Sequence, residues 1–370
     1  MKKICFITTG DIKSIATSKR ALGLANPLAN LGWDVSIIME DTEENHHRCE
    51  LECDARIEVL FFPHCGCRQE WKYKNKYIKQ IDPDFLYICA FVTRNIVGIG
   101  HRSKKLVEHS ELQSGIPDVK GMKRFMTYGY EFYSIMYADG LLNASKYLQD
   151  LYKRRAGKVF KSSMPMRYFP YAYNPDVIII KEKEDLSKRY PEFSNSTNFE
   201  FLGTVTRNYG VFTILDAVKE LKMKNADFKM LILGKGRHYD EAVAYVRKEN
   251  LTDCVYIPGF VEEEMISDYF SLATAFISPM NDTVQDWARC PSKMYLYVPY
   301  KKPVITCKIG EPYEILKEEG NYYKTGDSHS MAEQMLEIIQ GKKRESNIDP
   351  DRFSWETRAK ELNDWIVQSF

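Results

Sequence analysis

The sequence has almost no net charge and no long apolar run. Its 370 residues include 52 Lys and Arg against 51 Asp and Glu, so the formal net charge is +1. Because the charges balance, the protein has no net electrostatic attraction to nucleic acid, and we expect no nucleic-acid partner. No segment of about 18 apolar residues occurs, which predicts that no helix crosses a membrane.

The N-terminal segment lacks the pattern of a secretory signal. The apolar run 4–7 ends at Thr8, and no small-residue cleavage site follows it. We interpret this run as a first β-strand and expect a cytoplasmic protein. Peripheral attachment to the inner face of the membrane is left open.

Cysteine is too sparse for a disulfide framework, because only nine cysteines occur and the number is odd. Cys5, Cys89, Cys254 and Cys307 lie in or beside apolar runs and are predicted to pack as small hydrophobes. A second group has ligand types that suit zinc, but its spacings C-x3-C and C-x-C match no closed zinc site well. Reduced surface thiols are the other interpretation of this group, which contains His46, His47, Cys49, Cys53, His64, Cys65 and Cys67.

Short apolar segments alternate with amphipathic ones along the chain, which favours doubly wound parallel sheets. Helices are predicted at 19–31, 73–80, 119–137 and 146–155. Strands are predicted at 4–8, 35–39, 57–62, 85–89, 105–108, 140–144, 199–203, 228–234, 255–257, 274–278 and 304–306.

The alternation stops in a charged segment with proline and serine. We therefore predict an α/β protein with two Rossmann-like doubly wound domains that face each other across a cleft. The predicted parts are an N-terminal domain 1–173, a linker 174–198, a C-terminal domain 199–352 and a final helix 353–370 that crosses back to the first domain. Ser354 is the N-cap candidate of this last helix.

Ligands of open α/β sheets bind beyond the carboxyl ends of the strands, so residues just after each strand are site candidates. Gly234 and Gly236 follow a strand and would let a ligand approach the backbone, although a plain turn explains them as well. They do not form G-x-G-x-x-G, because position 239 is Tyr. Arg207, in a glycine-bounded loop, suits a diphosphate or is a solvated surface residue.

Two further candidates come from a strand end and from a helix start. His109 stands between carboxylates at a strand end and suits a general base or a structural histidine. The stretch CPSKMYLYVPYKKPVIT, 290–306, predicts a short helix that leads into a buried strand. Its start at Pro291 and Ser292, flanked by Arg289 and Lys293, suggests an anion pocket; a solvent-facing Lys293 is the alternative.

Two basic aromatic stretches, 68–79 and 152–155, lie in the first predicted domain. Trp and Tyr beside Lys suit a bilayer interface. A solvated helix face explains the same pattern, so membrane contact stays open.

Six motifs occur in an order that resembles one family: L-G-W-D-V at 31–35, I-D-P-D at 81–84, A-D-G at 138–140 with Ser145, V-Y-I-P-G-F-V at 255–261, P-S-K to K-P-V-I at 291–305, and F-S-W at 353–355. The chain resembles, over its whole length, the GT-B glycosyltransferases of family 4, the retaining glycosyl transferases group 1. Trp33 stands where the family has His.

The resemblance implies a nucleotide-diphosphate-sugar donor on the second domain and a glycan or lipid-linked acceptor on the first. It implies front-face attack without a protein nucleophile, no cofactor and no metal requirement. Arg207 and Lys293 would hold the donor diphosphate, Glu311 would contact the sugar or base, and His109 and Glu111 would face the acceptor. The other donor-binding candidates are Gly10, Gly203, Gly234, Gly236, Arg289, Pro291 and Ser292.

The chain departs from the family pattern at four positions. The family's ribose-binding Glu falls on Leu296 and its partner on Ala288, whereas the phosphate-binding Arg and Lys fall on Thr204 and Tyr209. Arg207 and Asp286 are the expected substitutes.

We therefore expect a retaining glycosyltransferase of surface polysaccharide or glycoconjugate assembly. The alternative is a catalytically silent GT-B protein that binds a glycan or a partner enzyme. A third hypothesis keeps the fold but uses a sugar phosphate as donor.

Overall fold

The computed structural model describes residues 2–13, 18–182, 185–186, 188–342 and 345–370. The chain divides into two compact units. The first contains Met1–Asn174, Ala288–Cys290 and Asp351–Phe370, and the second contains Pro175–Trp287 and Pro291–Pro350. Residues 183–184 and 187 of the predicted linker lie outside the described part of the chain.

The first unit contains a seven-stranded parallel sheet in the order β3-β2-β1-β4-β5-β6-β7. Its strands are β1 Lys3–Ile7, β2 Asp34–Glu40, β3 Glu58–Phe62, β4 Phe85–Ile88, β5 Lys104–His109, β6 Gly140–Asn143 and β7 Met166–Tyr168. Its helices are α1 Ser18–Asn30, α2 Glu43–Glu52, α3 Cys67–Ile81, α4 Gly121–Tyr137, α5 Lys146–Lys158 and, from the end of the chain, α14 Trp355–Ser369.

The second unit contains a six-stranded parallel sheet in the order β10-β9-β8-β11-β12-β13. Its strands are β8 Asn198–Leu202, β9 Lys229–Leu233, β10 Val255–Gly259, β11 Ala275–Ile277, β12 Val304–Thr306 and β13 Asn321–Tyr322. Its helical segments are α6 Pro191–Ser194, α7 Val211–Met223, α8 Tyr239–Lys248, α9 Glu263–Leu272, α10 Val284–Ala288, α11 Lys293–Tyr297, α12 Gly310–Leu316 and α13 Ser328–Ile339. The last residue of α10, Ala288, belongs to the first unit.

Both sheets are buried on two faces, which explains why their strands are continuous apolar runs. In the first unit Phe6 packs toward α1 and α14, whereas its neighbour Ile7 packs toward α3 and α5. The same alternation occurs in the second unit, where the neighbours Ile232 and Leu233 of β9 belong to separate clusters. The two doubly wound parallel sheets confirm the predicted fold class.

The final helix belongs to the core of the first unit. Ser354 caps it, with its hydroxyl accepting a hydrogen bond from the Thr357 backbone N–H at 3.2 Å. Gly23 of α1 lets the Trp355 indole lie directly on the helix, because a Cβ at Gly23 would collide with the ring. The motif F-S-W thus starts a helix that closes one face of the first sheet.

A buried ion pair lies on the same face of the first sheet, next to α14. Arg20 of α1 and Glu108 of β5 are both almost fully buried, and Nε lies 2.7 Å from Oε1. The guanidinium also donates to the carbonyl oxygens of Phe169 and Pro170, at 3.2 and 2.9 Å, and the Tyr87 hydroxyl donates to Glu108 at 2.9 Å. Such a network withstands burial because nearly every polar atom in it has a partner.

Part of the predicted linker packs on the second unit. Leu186, Tyr190 and Phe193 are buried in one cluster with Leu231 and Leu233 of β9. The segment therefore contributes apolar area to the second sheet, although its sequence is mostly polar.

The basic aromatic stretches are more buried than their composition indicates. Lys74 of α3 and Tyr152 and Arg155 of α5 lie in the interior, so only part of each stretch faces water. The helical period explains this burial, since positions 148, 152 and 155 share the inner face of α5. Among the helices that the structure describes, none is long and apolar enough to cross a membrane.

We expect Arg20→Met to lower the free energy of unfolding by about 3–5 kcal/mol, because the buried Glu108 carboxyl and the carbonyl oxygens of Phe169 and Pro170 would lose their partner. Urea unfolding followed by tryptophan fluorescence measures the loss. Arg20→Met with Glu108→Leu should recover a large part of it. Arg102→Met, which breaks an exposed pair with Asp82 on the same unit, is the matched control and should leave the curve unchanged. Equal losses in the two single variants would contradict the assigned role.

Candidate functional site

The carboxyl edge of the second sheet is formed by two loops that are joined by backbone hydrogen bonds. The Gly203 N–H donates to the Leu233 carbonyl oxygen at 2.9 Å, and the Val205 N–H donates to the Lys235 carbonyl oxygen at 3.3 Å. The His238 N–H returns a bond to the Val205 carbonyl oxygen at 3.1 Å. The loops after β8 and β9 therefore form one rigid strip.

Glycine is required in this strip for packing between backbones. Gly234 has φ +133°, and a Cβ there would collide with the Gly203 carbonyl oxygen. A Cβ on Gly236 would lie 2.6 Å from the Val205 carbonyl oxygen. The close approach that these glycines permit in the structure is thus to the neighbouring loop.

Lys293 places a cation at the end of β8. Its Nζ lies 4.0 Å from the centroid of the Phe201 ring and 3.7 Å from the position that a Cβ on Gly203 would occupy. α11 is held there because the Leu202 N–H donates to the Tyr297 hydroxyl at 3.0 Å. The predicted candidates Gly203 and Lys293 are therefore neighbours.

Arg207 lies four residues further along the same loop, in an exposed position. Its guanidinium forms an ion pair with Glu241 of α8 and lies 4.2 Å from the centroid of the Phe212 ring. Its backbone N–H donates to His238 Nδ1 at 3.3 Å. The loop backbone is thus fixed, whereas the guanidinium is held by a surface contact that a stronger anion can replace.

The start of α11 differs from the predicted anion pocket. α11 has only five residues, and the Ser292 side chain makes no capping bond to it. Arg289 lies in the first unit with Ala288 and Cys290, whereas Pro291, Ser292 and Lys293 lie in the second. The Ala288 carbonyl oxygen accepts a 2.7 Å hydrogen bond from Ser145, the residue that caps α5.

The two buried carboxylates near the departures from the family pattern have partners in their own unit. Asp286 accepts from the Asn281 backbone N–H at 2.8 Å, and Glu311 lies 3.4 Å from the Tyr295 hydroxyl. Gly310, with φ +56°, allows α12 to start against α10, because a Cβ there would be 2.7 Å from the Asp286 carbonyl oxygen. Leu296 is half-buried and presents no polar group.

In the first unit, His109 is buried and both of its ring nitrogens are engaged. Nε2 lies 2.9 Å from the Ser134 hydroxyl, and Nδ1 lies 3.1 Å from the Tyr152 hydroxyl. Burial and, secondarily, the charge of Arg155 lower the pKa of His109 to about 3. The imidazole is therefore neutral at physiological pH and joins β5 to α4 and α5.

The other two first-unit candidates lie in loops at the carboxyl edge. Glu111 is half-exposed and accepts from the Gln113 side chain at 3.1 Å. Gly10 has φ +70°, and its carbonyl oxygen accepts from Asn45 Nδ2 at 3.2 Å. Glu111 is therefore the more accessible acid of the pair that flanks His109, since Glu108 belongs to the core.

A polar cluster at this edge was missed in the sequence. Glu70 accepts hydrogen bonds at 2.6 Å from Thr9, Lys74 and Arg94, and Lys74 also donates to Asn95 at 2.6 Å. Burial lowers the pKa of Lys74 to about 8, although Glu70 opposes the shift. The available signals were the i, i+4 spacing of Glu70 and Lys74 and the position of Thr9 in the loop after β1.

The histidines and cysteines of the first unit do not converge. His46 stacks on Phe61 with ring centroids 3.8 Å apart, and His64 pairs with Glu40. All nine cysteines lie in the described part of the chain, and none of them is joined in a disulfide. Within the described ranges, no group of three His, Cys, Asp or Glu side chains is arranged to hold a metal ion.

A cavity of about 360 Å³ in the second unit is lined by Thr274, Tyr300, Lys302 and Pro303 among other residues. Thr274 and Pro303 directly precede β11 and β12, so the cavity lies at the amino edge of the sheet. Ligands of parallel sheets bind at the opposite edge, and we therefore place the candidate site at the strip beside Lys293.

Comparison with known proteins gives a family for the second unit. Residues 197–341 match the family model described as glycosyl transferases group 1. No curated protein sequence matches the chain.

Solved structures resemble the whole chain at low identity. HepE of Anabaena in complex with UDP-glucose is 14% identical, with a TM-score of 0.77 and 100% of both chains covered. The pneumococcal O-GlcNAc transferase GtfA, in complex with UDP and GlcNAc, is 7% identical, with a TM-score of 0.74 and 100% and 99% coverage. The sucrose-phosphate synthase of Thermosynechococcus elongatus is 16% identical, with a TM-score of 0.74 and 100% and 99% coverage.

At these identities the solved structures establish the fold, and the family model identifies the domain. The chain has the GT-B fold, and residues 197–341 of its second unit match the glycosyl transferases group 1.

Proposed function

We propose that the protein is a retaining glycosyltransferase that moves a sugar from a nucleotide-diphosphate donor to a glycan or lipid-linked acceptor in surface polysaccharide or glycoconjugate assembly. The observation that carries the proposal is the Lys293 ammonium beside Gly203, at the carboxyl edge of a group 1 glycosyl transferase domain. A cation fixed there meets the negative charge of a donor diphosphate.

We propose UDP as the nucleotide of the donor. HepE and GtfA, which share the fold, have been solved with UDP, and HepE also with UDP-glucose. The rigid strip 203–205 and 234–236 would support the nucleotide through its backbone, whereas Lys293 would bind the diphosphate.

Arg207 would complete the diphosphate site by exchanging partners. An exposed ion pair such as Arg207–Glu241 contributes little, because water screens it. A diphosphate accepts two parallel N–H bonds from a guanidinium and carries more charge. Arg207 would therefore leave Glu241 when the donor binds.

The chemistry assigned to the protein is electrostatic. The bond between the sugar C1 and the phosphate oxygen breaks, and the acceptor oxygen bonds to C1 on the same face. The acceptor proton passes to the departing diphosphate, whose growing charge Lys293 and Arg207 stabilise. Glu111 is assigned to an acceptor hydroxyl, and His109 positions β5 through Ser134 and Tyr152.

A second candidate function is a catalytically silent GT-B protein that binds a glycan or a partner enzyme. It is favoured by Ala288, which is fully buried, and by Leu296, which is apolar, because neither can bind a ribose hydroxyl. Unpaired ribose hydroxyls would weaken donor binding by about 1–3 kcal/mol each. Measurement of nucleotide binding separates the two functions.

We expect UDP to bind with micromolar affinity and Lys293→Ala to raise its Kd by roughly 10- to 100-fold, as for the loss of a charged hydrogen bond. Isothermal titration calorimetry with UDP, GDP, ADP, CMP and dTDP at low salt measures this. Lys248→Ala, an exposed lysine at the end of α8, is the matched control. Absence of heat with every nucleotide would reject the transferase proposal in favour of the silent binder.

A sharper test concerns the partner of Arg207. Glu241→Gln removes its competitor, so we expect UDP to bind up to about fivefold more tightly, whereas Arg207→Ala should weaken binding. In the double variant Arg207→Ala, Glu241→Gln, the tighter binding of UDP that Glu241→Gln causes should disappear. If Glu241→Gln changes the Kd equally with and without Arg207, then Arg207 does not bind the diphosphate.

The pKa of His109 gives a prediction for stability. Its pKa in the folded state, about 3, is below the ordinary value of 6.5, so the unfolded chain binds a proton more readily. The stability that His109 contributes is present above pH 6.5 and is lost as the pH falls toward 3, by about 1.4 kcal/mol per pH unit.

We therefore expect His109→Gln to be less stable at pH 7 but to lose roughly 2 kcal/mol less than the parent protein between pH 7 and 5. Urea unfolding at the two pH values measures this. The variant keeps Glu131 and Arg155, the charged residues near the ring, so that only the imidazole is removed. A transferase whose rate follows an apparent pKa near 6.5, abolished in His109→Gln, would instead make His109 the general base.

A further inference from the structure

The N-terminal half of α4 is exposed on all sides. Met122, Phe125 and Met126 have 73%, 74% and 67% of their surface in water, although each is apolar. Their neighbours at positions 121, 123 and 124 are exposed as well. Contiguous exposed apolar side chains of this size mark an interaction surface in ordinary proteins.

The other end of α4 is firmly attached to the first unit. Ser134 and Ile135 are buried, and Lys161 Nζ donates to the carbonyl oxygens of Ile135, Met136 and Ala138 at 3.0, 3.1 and 3.2 Å. These bonds satisfy the last carbonyls of the helix and place a cation at its negative end. The exposed half is therefore presented by a fixed base.

The exposed half is positively charged. Lys123 and Arg124 alternate with the apolar residues, and Lys120 precedes them. The only acid within α4 is Glu131, which is buried and bound to Arg155 at 2.8 Å and to the Ser114 hydroxyl at 2.8 Å. The surface of α4 that meets solvent thus combines large apolar side chains with cations and has no carboxylate.

We propose that the segment Lys120–Tyr128 binds the surface of an anionic phospholipid bilayer. Met122, Phe125 and Met126 would enter the boundary between headgroups and acyl chains, and Lys120, Lys123 and Arg124 would meet lipid phosphates. A second copy of the chain is disfavoured as the occupant, because a two-fold contact of this face with itself would bring like charges together.

This inference is independent of the transfer reaction, since binding to a bilayer needs neither donor nor acceptor. Its test is co-sedimentation of the full chain with sucrose-loaded vesicles. One set of vesicles is made of phosphatidylcholine alone, and the other contains about 30% phosphatidylglycerol as the anionic lipid. We expect at least tenfold stronger partitioning onto the anionic vesicles and a steep decrease with salt.

Two variants separate the apolar and the cationic contributions. Phe125→Ser with Met126→Ser should lower partitioning onto the anionic vesicles at least tenfold. Lys123→Glu with Arg124→Glu should abolish the preference for anionic over neutral lipid. The matched control is Leu51→Ser with Met223→Ser, which removes two apolar side chains that are 67% and 73% exposed elsewhere. This control should sediment like the parent protein.

The outcomes are decisive because the substituted side chains are exposed and their loss should leave the melting temperature unchanged. Failure of the parent protein to sediment, or equal losses in the α4 variant and the control, would overturn the proposal. A parent protein that is dimeric by light scattering, with a monomeric Phe125→Ser, Met126→Ser variant, would overturn it also and assign the face to a second copy. Vesicle binding by a protein that fails to bind UDP would reject the proposed reaction while leaving this inference intact.

Discussion

The first unit depends on one buried ion pair, which connects helix α1 with strand β5. Arg20, near the start of α1, reaches Glu108 on β5, the carbonyl oxygens that follow β7, and the ring of Trp355 at the start of α14. A charge in this position forces the surrounding groups into fixed places, because an unsatisfied partner would be costly in a low-dielectric core. The ion pair therefore fixes the edge of the sheet from which the loops carrying Glu111 and Gly10 extend.

In the second unit the equivalent constraint is steric. Gly203, Gly234 and Gly236 bring two loop backbones closer than any side chain would permit, and the strip they form holds its shape without a ligand. Under the proposed function, such a preorganised backbone would not have to rearrange when the donor binds, and only the guanidinium of Arg207 would change its partner. Lys293, already placed over Phe201, lies beside Gly203 of the same strip.

Much of the fold was predictable from the sequence, because buried parallel strands produce apolar runs that turns interrupt. Strand β12, 304–306, was predicted with the bounds observed because all three of its residues are β-branched, whereas the short strands β7 and β13 contain no β-branched residue. α2 was missed because it has almost no apolar face. At the site, Gly203 was predicted from the strand-end rule and Lys293 from the helix start within 290–306, but the burial of His109 and Lys74 was not predicted. Their partners Tyr152 and Asn95 are distant in sequence.

The division of the chain into two units determines how truncation affects each of them. The path leaves the first unit after Asn174, returns for Ala288–Cys290, and returns finally at Asp351. A stop at residue 350 would therefore spare the second unit and strip α14 from the first, exposing Gly23 and the hydrophobic surface that Trp355 covers. The second unit alone would need a splice across 288–290 as well as two new ends. Truncation at the C-terminus should accordingly destabilise the first unit, where the acceptor is expected to bind, before it affects the second.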